Sequence, residues 1–341
     1  LLYVLNMIVN TDPFKRFIEI WLYLMLLLII LIVFVGGLTR LTDSGLSITE
    51  WELFKGIFPP SNKEMWIFYF DLYKQIPEYK EINYNMSLAE FKVIYYWEYA
   101  HRLIARLIGL FSILPLIYLF FRFKKDRNKI FKYYIIFSLI CFQGFIGWFM
   151  VKSGLVNNTD VSHYRLALHL FVAFTILSII FWFILQNLVI QKFSKKLPQN
   201  ILRIFLFLII LQIILGAFLA GLNGGLLFNT WPDMNGSVLP DDIIIKDLFL
   251  SDFSSNPSVI QFYHRIVAYL IIIYLIILNY LFYKNNLSYK CLIILNFAVI
   301  LQIIIGIITL ITGVKIAYAS LHQLGSILVL TSFIFIIYKN S

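Results

Sequence analysis

Eight apolar stretches recur along the 341-residue chain and alternate with short polar connectors. Each stretch is about 20 residues or longer, the length that an α-helix needs to cross roughly 30 Å of hydrocarbon. The pattern therefore predicts eight membrane-spanning helices. They are expected at residues 18–37, 96–121, 132–151, 165–187, 203–221, 260–282, 290–312 and 318–338.

Basic residues are concentrated in alternate connectors, and this indicates how the chain is oriented. They lie in FKR (14–16), FRFKKDRNKIFK (121–132), QKFSKKLP (191–198), YKNNLSYK (283–290) and YKN (338–340). Because Lys and Arg accumulate in cytoplasmic loops, both termini are expected in the cytoplasm and the long loops 38–95 and 222–258 on the opposite side. The sequence shows no transit segment and no cleavable signal, which favours a bacterial inner membrane.

Composition supports a membrane protein and excludes a nucleic-acid-binding one. Hydrophobic residues make up 61% and charged residues 13% of the chain, against about 25% charged in soluble domains. The net charge of +10 is scattered over short connectors and forms no basic surface. The two cysteines, Cys141 and Cys291, fall in the third and seventh spans and are expected to be free thiols.

The second half of the chain repeats the first. GGLTRLTDSGLSITEW from Gly36 aligns with GAFLAGLNGGLLFNTW from Gly216, EYAHR with QFYHR, and RLALHL with YASLHQ. Since each repeat contains four spans, both halves enter the membrane from the same side. We therefore predict an all-α integral membrane protein whose eight transmembrane helices form two tandem four-helix bundles, residues 1–195 and 196–341, related by a pseudo-twofold axis along the membrane normal.

The long loop 38–95 carries two helix-start signals. Ser61 with Glu64 and Ser87 with Glu90 each have the spacing of a capping box. They predict one or two short surface helices, and a second span that begins near Leu88, outside the hydrocarbon.

Four of the five histidines recur at matching positions of the repeat. His101, His169, His264 and His322 occupy the even-numbered spans, one to two turns from the outer end, while His163 belongs to the preceding loop. A single histidine of this kind often only bonds a neighbouring helix. Two at one level on facing helices can instead supply both axial nitrogens of a haem iron. Zinc is less favoured, because neither half offers a Cys cluster or a carboxylate pair.

Basic residues and glycines near these histidines suit a porphyrin. Arg102 and Arg265 directly follow their histidines and can pair with propionates, and Arg106 is a further candidate. Lys152 and Arg165 serve equally well as residues that reach the lipid headgroups. Glycines in the spans make room for a macrocycle or simply allow close helix packing. They are Gly36, Gly37, Gly144, Gly147, Gly216 and Gly306.

The repeat is broken at one ionisable position. Glu98 lies one helical turn before His101, whereas Gln261 lies one turn before His264. An intramembrane carboxylate is costly and is a functional hypothesis by default. The first half therefore suits proton movement or cation stabilisation, and the second half suits haem binding. The amide at Gln261 also predicts that the fold accepts Gln at position 98.

These motifs resemble those of the haem A synthases of alphaproteobacteria and mitochondria. The resemblance rests on GGLTRLTDSGLSITEW, FKVIYYWEYAHRLIAR, MVKSGL, YRLALHL, AGLNGGLLFNTWPDMNG, QFYHR and LHQ, and it covers nearly the whole chain. One departure is Asn223-Gly224, where the family commonly has Asp-Ala. The outer cysteine pair of the Gram-positive branch is also missing.

The resemblance implies a reaction and a set of roles. Haem A synthases oxidise the C8 methyl group of haem O to a formyl group, with water as the expected oxygen source. By resemblance His264 and His322 would bind a resident haem b, with Arg265 nearby. The haem O substrate would be held by His101, His169, Arg102 and Arg106. Glu98 would be the acidic catalytic residue, stabilising positive charge at the oxidised carbon and serving as base for water. Haem O synthase, an electron acceptor and a second copy of the chain are the partners considered.

Two other functions use the same residues. A bis-histidine electron carrier with two haem b groups needs the four histidines but no carboxylate beside only one of them, so Glu98 favours the enzyme. A transporter built from repeats predicts broken helices near the membrane midplane, whereas the polar residues here gather near the outer surface.

Overall fold

The computed structural model describes residues 13–51, 55–122, 127–156, 158–250 and 252–341. The prediction of eight spans is confirmed, because these ranges contain eight helices that are long and apolar enough to cross a membrane. The first twelve residues, and positions 123–126 of the predicted basic connector, lie outside the described ranges. The long helices are α1 (Pro13–Leu41), α2 (Leu88–Arg122), α3 (Arg127–Gly154), α4 (His163–Asn187), α5 (Gln199–Gly221), α6 (Pro257–Lys284), α7 (Lys290–Ile311) and α8 (Ile316–Asn340).

Helix contacts divide the spans into two groups of four. In the first group α1 and α3 each pack against both α2 and α4, and in the second group α5 and α7 each pack against both α6 and α8. The groups meet through α1 with α8, α4 with α5, and α4 with α8. A pair of bundles related by a twofold axis would produce this pattern. The axis itself, and the division of the chain at residue 195, stay predictions.

The long loop folds as a cap on the outer extension of α2. The described residues of 42–87 and 222–256 lie at one end of the molecule. We call this end the outer end. The cap contains the short helices Lys63–Tyr73 and Pro77–Glu81. Its own apolar core joins both helices to the first turns of α2 and to the segment after α1, which fixes the cap above the first bundle. That core includes Leu46, Ile48, Trp66, Phe70, Tyr73, Ile76, Phe91 and Tyr95.

One of the two predicted capping boxes is confirmed and the other is displaced. The Glu90 carboxylate accepts from the Ser87 backbone N–H at 2.8 Å, and the Glu90 N–H donates to Ser87 Oγ at 3.3 Å, so α2 begins at Leu88 as predicted. Ser61 does not cap its helix. Asn62 caps it instead, because its Oδ1 accepts from the Met65 N–H at 2.8 Å.

At the inner end, the connector between the bundles is fastened to the end of α8. The Leu197 N–H donates to Asn340 Oδ1 at 2.6 Å, and Asn340 Nδ2 donates back to the Leu197 carbonyl at 3.2 Å. Lys192 and Lys196 donate to carbonyl groups of the last turn of α8. The last carbonyls of a helix lack partners in a following turn, and the two lysines donate to them and complement the helix dipole. The Tyr338 carbonyl also accepts from the Ser341 N–H and hydroxyl. We call this set of contacts the inner clasp.

Candidate functional site

Each of the four histidines in the spans lies against a glycine of the preceding helix. A Cβ atom added at Gly36 would lie 3.0 Å from His101 Nε2, and one at Gly306 only 2.8 Å from His322 Cε1. A Cβ added at Gly147 would lie 3.2 Å from His169 Cε1, and one added at Gly216 would lie 3.4 Å from His264 Cε1. These glycines therefore make room for imidazole rings, which a larger residue would displace.

The two histidines of the second bundle face each other at a spacing that suits one iron. The ring centres of His264 and His322 are 6.4 Å apart, and the ring planes are inclined by 67°. Two imidazole nitrogens bound to one metal at about 2 Å each, with each nitrogen about 1 Å from its ring centre, give a separation of about 6 Å. The residues present in the second bundle therefore fit a bis-histidine haem.

The first bundle brings His101 and His169 within electrostatic range of each other. Its arrangement is not a copy of the second bundle. His101 turns its Nε2 edge toward Gly36, whereas the other three histidines present Cε1 to their glycines. The two sites thus differ in how one ligand is oriented, although their sequences are aligned.

Two glutamines hold the backbone at the histidines of α4 and α8. Gln143 Nε2 donates to the His169 carbonyl at 3.0 Å, and Gln302 Nε2 donates to the His322 carbonyl at 2.8 Å. The repeat aligns these glutamines, and the structure gives them the same contact. They fix the helical segments that carry one histidine in each bundle.

A third glutamine distinguishes the bundles, and sequence reasoning missed it. Gln212 Nε2 lies 3.1 Å from His264 Nε2. Its buried Oε1 has no partner among the described residues. The aligned residue in the first bundle is Ile32. An amide one turn from Gly216, where the other half has an aliphatic residue, was the signal available in the sequence.

Glu98 is buried and fully hydrogen-bonded. Its Oε2 accepts from Ser47 Oγ at 2.7 Å and from the Ile48 N–H at 2.8 Å. Its Oε1 accepts from Arg102 Nε at 2.9 Å and from Arg102 Nη2 at 2.6 Å. The carboxylate is therefore a fixed negative charge within a paired, charge-assisted network.

At the corresponding place in the second bundle, the amide of Gln261 donates a hydrogen bond, whereas the carboxylate of Glu98 accepts hydrogen bonds. Gln261 Nε2 donates to the Phe228 carbonyl at 3.1 Å, and Arg265 Nη2 donates to the same carbonyl at 3.1 Å. Phe228 is aligned with Ile48, whose N–H binds Glu98. The amide therefore meets an acceptor where the carboxylate meets donors, so Gln261 is no precedent for Gln at position 98. These contacts remove the support that Gln261 gave, and the acceptance of Gln at position 98 stays a prediction.

The arginines beside the histidines are held by the outer loops. Arg102 donates to the Ile48 carbonyl at 2.7 Å and to the Glu50 carbonyl at 3.0 Å. Arg265 Nη1 donates to the Asp233 carbonyl at 2.7 Å, while its buried Nε has no partner among the described residues. Arg265 thus keeps a donor for a propionate. Arg106 lines a small recess together with Arg102 and residues of the cap.

The two alternative basic candidates contact aromatic rings near the end of α3. Arg165 stacks 3.6 Å from the Phe149 ring centre and donates to the Phe149 carbonyl at 2.6 Å. Lys152 lies 5.1 Å from the Trp148 ring centre. These contacts favour a role in anchoring the outer end of α3 over a role in binding a porphyrin.

Arg40, a residue not predicted from the sequence as part of the site, joins the two bundles at the outer end. It donates to Asp43 Oδ1 at 2.7 Å and to Asn223 Oδ1 at 2.9 Å. Asp43 and Asn223 are aligned in the repeat, and both adopt left-handed backbone, with φ of 46° and 52°. One arginine therefore serves both copies of the motif, and the side chain at position 223 is used as an acceptor.

A buried acid of the cap, Glu78, lies close to this network. Glu78 is 5% exposed. Burial, reinforced by the negative charges of Glu98, Asp160 and Asp43, raises its pKa from 4.5 to about 8. The Tyr73 hydroxyl, itself fully buried, donates to this carboxyl and opposes part of the shift. Glu78 is therefore mostly protonated at neutral pH.

Comparison with known proteins places these features in one family. The chain matches the family model for a cytochrome oxidase assembly protein over residues 19–334. It is 57% identical over 335 residues to a haem A synthase of Pelagibacter ubique, covering 98% of this chain and 100% of the relative. It is 42% identical to a haem A synthase of Rickettsia bellii, over 94% and 98% of the two chains. It is 41% identical to one of Wolbachia pipientis from Culex pipiens, over 92% and 95%.

Proposed function

The chain belongs to the cytochrome oxidase assembly family of the haem A synthases, and from this premise we propose that it oxidises the C8 methyl group of haem O to a formyl group. Haem O would bind between His101 and His169, and a resident haem b between His264 and His322. The observation that carries the second assignment is the 6.4 Å separation of the His264 and His322 ring centres. The Nε of Arg265, which has no partner within the described part of the chain, supports a propionate at the outer edge of this site.

The proposed reaction takes two oxidation rounds. In the first, the methyl group and one water give a hydroxymethyl group, two electrons and two protons. In the second, a further water gives a geminal diol, again with two electrons and two protons, and the diol loses water to leave the aldehyde. A haem b in the second bundle would supply one-electron redox chemistry. The electrons then pass to a separate acceptor.

Glu98 is the residue proposed to stabilise the oxidation. Removal of electrons from a methyl group on a conjugated ring leaves positive charge at that carbon, which a fixed carboxylate in a low-dielectric site stabilises. Because Glu98 accepts four hydrogen bonds, its carboxylate oxygens are engaged by fixed donors. The contacts therefore support a fixed electrostatic role more than a role as general base.

Arg102 and Arg106 are proposed to position the haem O substrate. Arg102 joins Glu98 to the cap through the Ile48 and Glu50 carbonyls, so a propionate at this edge would bind beside an already ordered guanidinium. We further propose an inner-membrane location with the haem sites toward the side of the cap. The alternating basic connectors support that orientation.

A mutant series tests the assignment of the two bundles. His264→Ala or His322→Ala should lower the haem b that co-purifies with the protein, because one axial ligand is lost. His101→Ala or His169→Ala should leave most haem b in place and stop conversion of haem O. Haem species are identified by mass and quantified per mole of folded protein.

The same series separates the enzyme from the electron carrier. Equal loss of haem b in both pairs of variants would contradict the assignment of halves. Wild-type protein that holds haem b in both bundles and forms no haem A from added haem O would favour the carrier. The asymmetry between Glu98 and Gln261 argues against the carrier.

A further inference from the structure

A short apolar segment of the second outer loop is exposed at the outer end. It comprises residues 244–250, which we call the IIKDLFL segment after their sequence. Ile244, Ile245 and Phe249 are 63%, 69% and 80% exposed, and Leu250 is also exposed. Four large apolar side chains within seven residues, open to the surroundings, need an apolar environment.

The segment is held by a contact within it and by contacts of the two residues directly before it. The Ile244 N–H donates to Asp247 Oδ2 at 2.9 Å, which closes a turn within the segment. Ile243, directly before it, is buried, and Asp242 accepts from Ser258 Oγ at the start of α6. The apolar side chains are therefore presented by an ordered backbone.

The segment lies beside α6 and does not project beyond its end. The Tyr263 hydroxyl donates to the Leu248 carbonyl at 2.5 Å, and the Phe253 ring packs 5.9 Å from the Tyr263 ring. Tyr263 is the seventh residue of α6, which begins at Pro257. It thus lies about 9 Å along the helix from the first residue. The segment is tethered at that level of a membrane-spanning helix.

The helix face below the tether is a lipid-facing stripe. Ile266, Leu270 and Ile273 follow Tyr263 at spacings of three, seven and ten residues, which places all four on one face of α6. These three residues are exposed on a helix that spans the membrane. The IIKDLFL segment therefore continues an apolar surface that already faces lipid.

We propose that the IIKDLFL segment is an interfacial anchor that inserts into the outer-end leaflet, at the boundary between headgroups and acyl chains. Ile244, Ile245, Phe249 and Leu250 supply the apolar contact. The exposed Lys246 extends toward lipid phosphate. Tyr263 lies at the depth where aromatic residues with one polar end are favoured. This inference does not depend on the proposed reaction.

Site-directed fluorescence tests the anchor in lipid nanodiscs. Phe249→Cys and Val238→Cys are made in a background carrying Cys141→Ser and Cys291→Ser and are labelled with an environment-sensitive fluorophore. Val238 is the matched control, because it is 85% exposed in the same loop and outside the tethered segment. Ile245→Cys is a second reporter in case Phe249→Cys does not fold.

The expected result is a depth signature. The label at position 249 should emit as in an apolar medium and be quenched by lipids with a nitroxide near the headgroup, more than by lipids with a nitroxide at the chain end. The label at position 238 should be quenched by aqueous iodide. Equal iodide quenching at both positions would overturn the proposal. An apolar emission at 249 without lipid quenching would also overturn it, because a protein surface such as a second copy would then cover the segment.

Discussion

Four hydrogen bonds to Glu98 make its substitution more damaging than the repeat suggests. In Glu98→Gln the amide NH2 would face either Arg102, which only donates, or the side of the Ile48 N–H and the Ser47 hydroxyl, so at least one donor would lose its acceptor. We expect a lower thermal unfolding midpoint, since neutralising one member of a buried pair leaves the other uncompensated. Haem A formed per mole of folded, haem-loaded protein should still fall by about 10²–10³-fold if the charge acts on the transition state.

Glu90→Gln is a control for the change from carboxylate to amide, because Glu90 is exposed at the start of the same helix. Normal turnover in the folded fraction of Glu98→Gln would remove Glu98 from the mechanism and leave it as a structural partner of Arg102.

Glu78 gives the cap a pH-dependent stability. Its pKa is about 8 in the folded protein and near 4.5 when exposed, so between these values the unfolded chain loses a proton that the folded chain keeps. Stability is therefore lost as pH rises from about 4.5 to 8, by up to roughly 5 kcal/mol. Glu78→Gln should raise the unfolding midpoint at pH 9 and flatten its pH dependence. Glu81→Gln, exposed on the same short helix, should change neither.

The chemistry-bearing residues were accessible from sequence, but their polar partners were not. The histidines and Glu98 were found because they recur, or fail to recur, at fixed positions of a repeat. Gln212 and Arg40 were missed because their roles depend on which helices touch: Gln212 reaches His264 on α6, and Arg40 reaches Asn223 in the other half. Periodicity within one helix contains no such information.

At the scale of helices, pairing of an imidazole with a glycine sets the spacing inside each bundle. Gly306→Ala would place a Cβ 2.8 Å from His322 Cε1, so the ring or the helix must shift. We expect haem b content to fall several-fold while the protein still folds. Gly144→Ala on α3 is the matched control, because its Cβ would meet no atom within 4 Å. Equal haem content in both variants would show that the glycine does not position the ligand.

Helix starts show where sequence signals suffice. The Ser87 and Glu90 box correctly placed the start of α2, because both partners of that cap are local. At Ser61 the same pattern was one residue early, since the next residue, Asn62, is an equally good cap and takes that place. The packing of the cap on α2 depends on contacts between distant residues, which no local pattern specifies.

At the scale of the whole molecule, one glycine pair of α1 touches both bundles. Gly36 contacts His101, and a Cβ on Gly37 would lie 1.6 Å from Gln323 Oε1, next to His322. Gln323 Nε2 also donates to the Val33 carbonyl at 2.8 Å. At the aligned junction of α5 with α4, the corresponding residues are Ala217 and Leu170.

This difference predicts a compensating pair of substitutions. Gly37→Ala alone should lower the unfolding midpoint, because the methyl group collides with the Gln323 amide. The double variant Gly37→Ala with Gln323→Leu has the residue types of the other junction and should recover part of the lost stability. Recovery should be incomplete, because the hydrogen bond from Gln323 to the Val33 carbonyl is lost. Such a bond contributes roughly 0.5–2 kcal/mol in membranes. A double-mutant cycle of unfolding midpoints measures the coupling. Additive effects would mean that the two residues do not meet.

The inner clasp has a consequence for how the protein is made. One side of the clasp lies in the connector that follows the fourth span, and the other side lies in the last turn of α8, the eighth span. During translation the connector is made before the second bundle, and the end of α8 is made last. During that interval the lysines of the connector have no helix end to bind. The first bundle is therefore inserted in the membrane before the inner clasp can form, and the clasp forms only after the final helix has been inserted.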